Sequence, residues 1–125
     1  MGRIRQMIDV QGRESWTLFD SGARNTYIVP DVASVLVTSD LAEPFRTALG
    51  GEVRETTKTA LLEGKLEGLP ISTHAMVIDE IGQDDDGKPI EILFGALAMQ
   101  QWGIRLIPEK EKLDLSHYPK EFVEF

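Results

Sequence analysis

The chain has no cysteine. That absence removes disulfides, thiolate nucleophiles and cysteine-ligated zinc or iron–sulfur sites. Positive charge is also scarce: Lys and Arg total 13 against 21 Asp and Glu, a net charge of −8. A phosphate backbone repels such a surface, so nucleic acid is a poor partner. No apolar run approaches the roughly 20 residues that span a bilayer. No signal-like apolar stretch follows the charged start Met1–Gln6, so the expectation is a cytoplasmic chain with no membrane partner. Internal repeats and low-complexity tracts are missing as well. The chain has only two histidines, His74 and His117, so no metal site is expected.

What is present suits one soluble domain, 1–125. The chain has 125 residues, 42% apolar and 27% charged, enough for a modest single core and too few for two. Ile4 to Val10 and Glu14 to Phe19 read as a hairpin across Gln11-Gly12-Arg13. Asn25 to Val29 is strand-like and stops at Pro30. Asp31 to Leu36 suits one helical turn with Asp31 as its N-cap. Val37 to Glu55 reads as loop and short turns, with a strong turn at Leu49-Gly50-Gly51. Arg54 to Asp79 reads as antiparallel strands turning at Glu67-Gly68-Leu69-Pro70. Ile81 to Pro89 reads as a solvated polar loop, and Ile90 to Phe94 as an apolar strand ending at Gly95. A helix over Ala96 to Trp102, closed by Gly103, precedes a last hairpin of Ile104–Ile107 and Leu113–Leu115. The tail Ser116–Phe125 carries Tyr118, Phe122, Val123 and Phe125, apolar groups with something to cover.

The stretch Trp16-Thr17-Leu18-Phe19-Asp20-Ser21-Gly22-Ala23 stands out. An apolar strand climbs to one carboxylate and then reverses through Ser and Gly. Burying an acid at a strand end is costly, which points to a carboxylate with a task.

Leu18-Phe19-Asp20-Ser21-Gly22-Ala23 resembles the apolar-apolar-Asp-Thr/Ser-Gly-Ala signature of aspartic proteases. Much further along, Ile92-Leu93-Phe94-Gly95 before a short helix resembles the second motif of the retroviral-type, retropepsin-like branch. The resemblance spans roughly Ile4 to Leu115 and implies an all-β, closed barrel-like fold with one or two short helices. It implies that Asp20 is the catalytic carboxylate and that Ser21 holds two active-site loops together. Gly22 would permit their close approach, and Ala23 would line the floor. Leu93, Phe94 and Gly95 would form the buttressing strand, and Gly50 and Gly51 are the best candidates for a flap tip. The sequence departs from the pattern at Phe94, where a smaller aliphatic is usual, and at Ala96-Leu97, where a polar residue is often found. No cofactor or metal is implied.

Peptide hydrolysis by this route needs two carboxylates that share one proton. The only other Asp-Gly context, Asp85-Asp86-Gly87, follows no apolar strand, so one chain supplies half a site. The resemblance therefore implies a homodimer acting on a peptide or protein substrate, with the tail 116–125 a candidate for its interface. Two rivals stand beside it: an inactive peptide-binding or dimerisation module on the same fold, and an unrelated β-barrel binder in which Asp20 only makes a turn. Other motifs fail on chemistry. Gly82 to Lys88 spaces like a phosphate loop, but Asp84–Asp86 would repel phosphate and Pro89 stands where a magnesium-binding hydroxyl belongs. As a calcium loop it would place Gly82 and Leu93 at ligand positions. No G-x-S-x-G context surrounds Ser21 for a serine hydrolase with His74.

Overall fold

The computed structural model describes residues 2–124. Alternation of apolar side chains lays down the first hairpin, β1 (Arg3–Val10) and β2 (Arg13–Asp20). Ile4, Ile8 and Val10 point inward from β1, and Ser15, Thr17 and Phe19 from β2. The two inward hydroxyls on β2 are satisfied locally, Thr17 Oγ1 donating to the Ser15 carbonyl at 3.0 Å. A two-residue turn at Gln11–Gly12 sets the register, pairing Val10 with Arg13 and Arg3 with Asp20.

The chain then runs through β3 (Tyr27–Ile28), α1 (Pro30–Ala33), β4 (Thr38–Leu49), β5 (Glu52–Leu66), β6 (Leu69–Val77), β7 (Ile92–Phe94) and α2 (Ala96–Trp102). A small β8–β9 hairpin (Arg105–Ile107, Lys112–Asp114) follows, joined by a 3₁₀ turn. The main sheet orders its strands β1-β2-β7-β3-β6-β5-β4. An extra bridge, Asp9 to Lys65, joins β1 to β5 and closes a ring that leaves β4 outside. Phe19, Ile28, Leu62, Leu66, Ile92 and Phe94 fill the ring, and Ala98, Met99 and Trp102 of α2 seal it. The all-β barrel with short helices expected from the sequence is the fold observed.

Four local readings need correction. The helical turn α1 starts at Pro30 with Val29 as N-cap, and Asp31 lies within the first turn. Proline's fixed φ suits the first helical position, which explains the earlier start. Val37 to Glu55 is mostly strand, not loop. β4 is exposed along most of its length and is held by pairing with β5, so it carries no alternation of burial to read. A register shift between Asp40 and Phe45 takes up Pro44, a residue tolerated at an outer strand. Pairing also stops short at two ends: β3 keeps only Tyr27 and Ile28 of the segment Asn25–Val29, and β7 begins at Ile92.

The fourth correction concerns the acidic loop 81–89. The Asp84 side chain is only 4% exposed and organises the loop rather than facing water. It accepts hydrogen bonds from the Trp16 indole (2.9 Å) and from the backbone N–H groups of Asp86 and Lys88 (both 2.9 Å), with Arg5 at 3.4 Å. Desolvation alone would raise its pKa, but those donors and the Arg5 charge together hold it below the usual carboxylate value. At the other end, Tyr118 and Phe122 pack against Trp102 of their own chain. Phe125 lies outside the described residues.

Candidate active site

Asp20 ends β2 on the face opposite Phe19. The residue is 7% exposed. Its carboxylate accepts the Gly22 N–H at 2.8 Å, and its carbonyl accepts the Ala23 N–H at 3.1 Å, so side chain and backbone fold one tight turn. Arg3, its cross-strand partner, places Nε 3.3 Å from the other carboxylate oxygen. Ser21 continues the ladder: its N–H donates to the Gly2 carbonyl at 3.1 Å, and its Oγ accepts the Gly2 N–H at 2.9 Å.

The two sequence motifs meet here. Leu18 and Phe19 pair in parallel with Leu93 and Phe94. The Phe19 and Phe94 rings lie 5.1 Å apart, centroid to centroid, in the core. The segment leaving the turn is bolted to the start of α2: Ala96 N–H donates to the Ala23 carbonyl (2.7 Å) and Leu97 N–H to the Arg24 carbonyl (3.1 Å). Gly95 N–H donates to the buried Thr26 hydroxyl at 3.1 Å. A Cβ at position 95 would collide with the carbonyls of Asn25 and Arg24, so the contact requires glycine. Phe94, the departure from the usual small aliphatic, is fully buried against Phe19, where its bulk fills core.

Beside Asp20 the sheet presents an apolar row. Leu18 pairs with Leu93, Leu93 with Tyr27, and Tyr27 with Met76, so four neighbouring strands align these side chains on one face. Ala23, Ile78, Ile81 and Leu49 pack with them. Leu49 is the last residue of β4, and Gly50 and Gly51 form the two-residue turn into β5. Both glycines have positive φ, 58° and 83°, as a tight hairpin turn of this hand demands. Tyr27 Oη and Thr47 Oγ1 lie 2.8 Å apart, tying this hairpin to the sheet. The flap candidates Gly50 and Gly51 therefore sit at the tip of a hairpin whose tip end, through Thr47 and Leu49, closes on the apolar row.

Asp20, Ser21, Gly22, Ala23, Leu93, Phe94 and Gly95 are thus brought together, with Gly50 and Gly51 at the hairpin above. Sequence reasoning missed Arg3, Thr26, Tyr27 and Thr47. Arg3 could have been found by counting outward from a two-residue turn; Thr26 carries no sequence signal beyond a β-branched residue near a strand. Among the described residues no three His, Asp or Glu side chains converge as a metal site would require.

The sequence matches no protein-family model and no curated protein. Solved structures do match. The retroviral protease-like domain of Ddi1 from Leishmania major superposes with a TM-score of 0.66 at 15% identity, covering 93% of this chain and 90% of that one. The fold is that of a retropepsin-like domain. EIAV protease, solved with the inhibitor HBY-793, gives a TM-score of 0.56 at 19% identity over 84% of this chain and 92% of that protease. The foamy viral protease-reverse transcriptase, solved with an RNA/DNA hybrid, gives 0.56 at 10% identity over 80% of this chain and 12% of that larger one. Identities this low carry the retropepsin-like architecture and leave the chemistry to be argued from the residues.

Proposed function

We propose that this chain is an aspartic endopeptidase that works as a homodimer. The observation that carries the reading is the setting of Asp20: a nearly buried carboxylate on a rigid turn, at the end of an apolar row, one per chain. Two such turns facing each other across a two-fold axis would place two carboxylates side by side. Like charges that close cannot both ionise, so the pair holds one proton. The ionised member takes a proton from water as it attacks the peptide carbonyl, and the protonated member donates to the carbonyl oxygen. Leu18, Leu93, Tyr27 and Met76 would take an apolar side chain next to the scissile bond, and the hairpin ending at Gly50–Gly51 would close over the extended peptide. Ser21 and Gly22 would meet their counterparts beneath the pair.

One observation favours the rival, an inactive peptide-binding or dimerisation module: Asp20 is already paired with Arg3 in the lone chain. A peptide library separates the two readings. The wild-type chain should cut a set of peptides in mildly acidic buffer and run at twice the chain mass. Asp20→Asn should lose at least about a thousandfold in cleavage while keeping its fold, because a missing catalytic group removes several kcal/mol of transition-state stabilisation. Cleavage that survives the substitution would end the mechanism. A dimer that binds peptides without cutting them would establish the module.

A further inference from the structure

We propose that Arg3, together with the Gly2 backbone, is a gate on the half-site: it engages Asp20 and Ser21 in the lone protomer and must release them for two protomers to pair. The proposal rests on the reading of Asp20 as half of a paired site. Three contacts carry it. Arg3 Nε stands 3.3 Å from Asp20 Oδ2, Gly2 N–H donates to Ser21 Oγ at 2.9 Å, and Ser21 N–H donates to the Gly2 carbonyl at 3.1 Å. The hydroxyl itself donates to the Gly2 carbonyl oxygen at 3.3 Å. The polar groups that the resemblance assigns to the opposing turn are therefore engaged by the chain's own residues.

Charge counting shows why this arrangement cannot persist in the pair. Two Asp20 side chains that share one proton carry a single negative charge, whereas two Arg3 side chains carry two positive ones. At least one guanidinium must lose its carboxylate when the pair forms. The geometry permits release. The Arg3 side chain is 68% exposed while that of Asp20 is 10% exposed, so the cation can swing into water with the β1 backbone unmoved. Arg3 pairs with Asp20 at the last rung of the β1–β2 ladder, and Gly2 beyond it rests against Leu106 and Pro108. The gate is thus one exposed side chain and one residue of backbone at a strand end.

The size of the effect follows from the exposure. Exposed ion pairs contribute little, so breaking one or both of them weakens association by about three- to tenfold. Sedimentation equilibrium on the full chain tests this with Arg3→Gln and Arg3→Lys. Arg3→Gln should pair about three- to tenfold more tightly than wild type, and Arg3→Lys should stay close to wild type. Added salt should bring the wild-type constant toward that of Arg3→Gln, because screening loosens an exposed ion pair. A salt response of this kind separates a gate from a merely structural arginine. Arg3→Gln that pairs no more tightly than wild type, or remains monomeric wherever wild type does, overturns the gate. Peptide cleavage measured on the same samples reports on the enzyme separately. Tighter pairing of Arg3→Gln without cleavage by any variant would support the gate and refute the endopeptidase; cleavage with unchanged pairing would do the reverse.

Discussion

The turn at Asp20 and the hairpin of β4 and β5 face the same apolar row and are built in opposite ways. The turn sits among central strands. Phe19, Ile28, Ile92 and Phe94 behind it are fully buried, and each backbone segment around it is bonded to another. The hairpin leaves the ring: nine of the twelve residues of β4 are exposed, and Phe45 and Val53 stand in water. It is tied down near its end by the Tyr27–Thr47 bond and by Leu49. Chemistry on a carboxylate needs position held to a fraction of an ångström, and admitting a peptide needs a wall that yields. On the proposed reading, this domain assigns the two demands to different strands.

The contrast breaks most severely at Gly95→Ala. The new Cβ would meet backbone carbonyls with no room to move, so the fixed side should lose about 4 kcal/mol or more, read as a collapse of the urea midpoint. Normal stability in that variant would show that the turn is not held as tightly as described. Tyr27→Phe acts on the other side. Losing one hydroxyl contact should lower stability by about 0.5–1.5 kcal/mol and speed amide exchange along Thr38–Leu49, leaving β2 and β7 unchanged. Equal acceleration in both regions would erase the distinction.

Acid should move one element from the fixed side to the yielding one. The Asp84 pKa is lowered from 3.8, so its contacts stabilise the fold fully above that value and are lost as pH falls through the lower folded value. The indole N–H of Trp16, which Asp84 accepts, should then shift in its NMR resonance. Trp102 is the internal control, because its indole donates to the Ser72 carbonyl, which does not titrate. Both indoles moving together would refute local release. The smallest effect belongs to Phe45→Ala. This side chain is 50% exposed on the hairpin, so stability, read from thermal melting, should change by no more than about 0.5 kcal/mol. A larger loss would mean that the yielding side is packed after all.

Legibility followed the same division. Leu18–Ala23, Ile92–Gly95 and the helix ending at Gly103 were readable because buried strands and caps leave a residue pattern. β4 was not, because an exposed strand stabilised by its neighbour's backbone needs no alternation, and Pro44 reads as a stop. In the sequence Asp84 reads as one solvated acid among three in a row. Its partners Arg5 and Trp16 are remote in sequence, and only the closed barrel brings them to it. Arg3 opposite Asp20 was within reach. Treating Gln11-Gly12-Arg13 as the turn hid a register that Gln11–Gly12 alone fixes.

The parallel pairing of β2 with β7 also sets an order of manufacture. Asp20 is synthesised early, but Leu93, Phe94 and Gly95 leave the ribosome much later. Contacts between segments so far apart form late and slowly. Until they form, the carboxylate has neither floor nor fixed direction, and the row beside it lacks Leu93. On the proposed reading, a growing chain therefore carries the motif without a working half-site, and pairing must wait for a nearly finished domain.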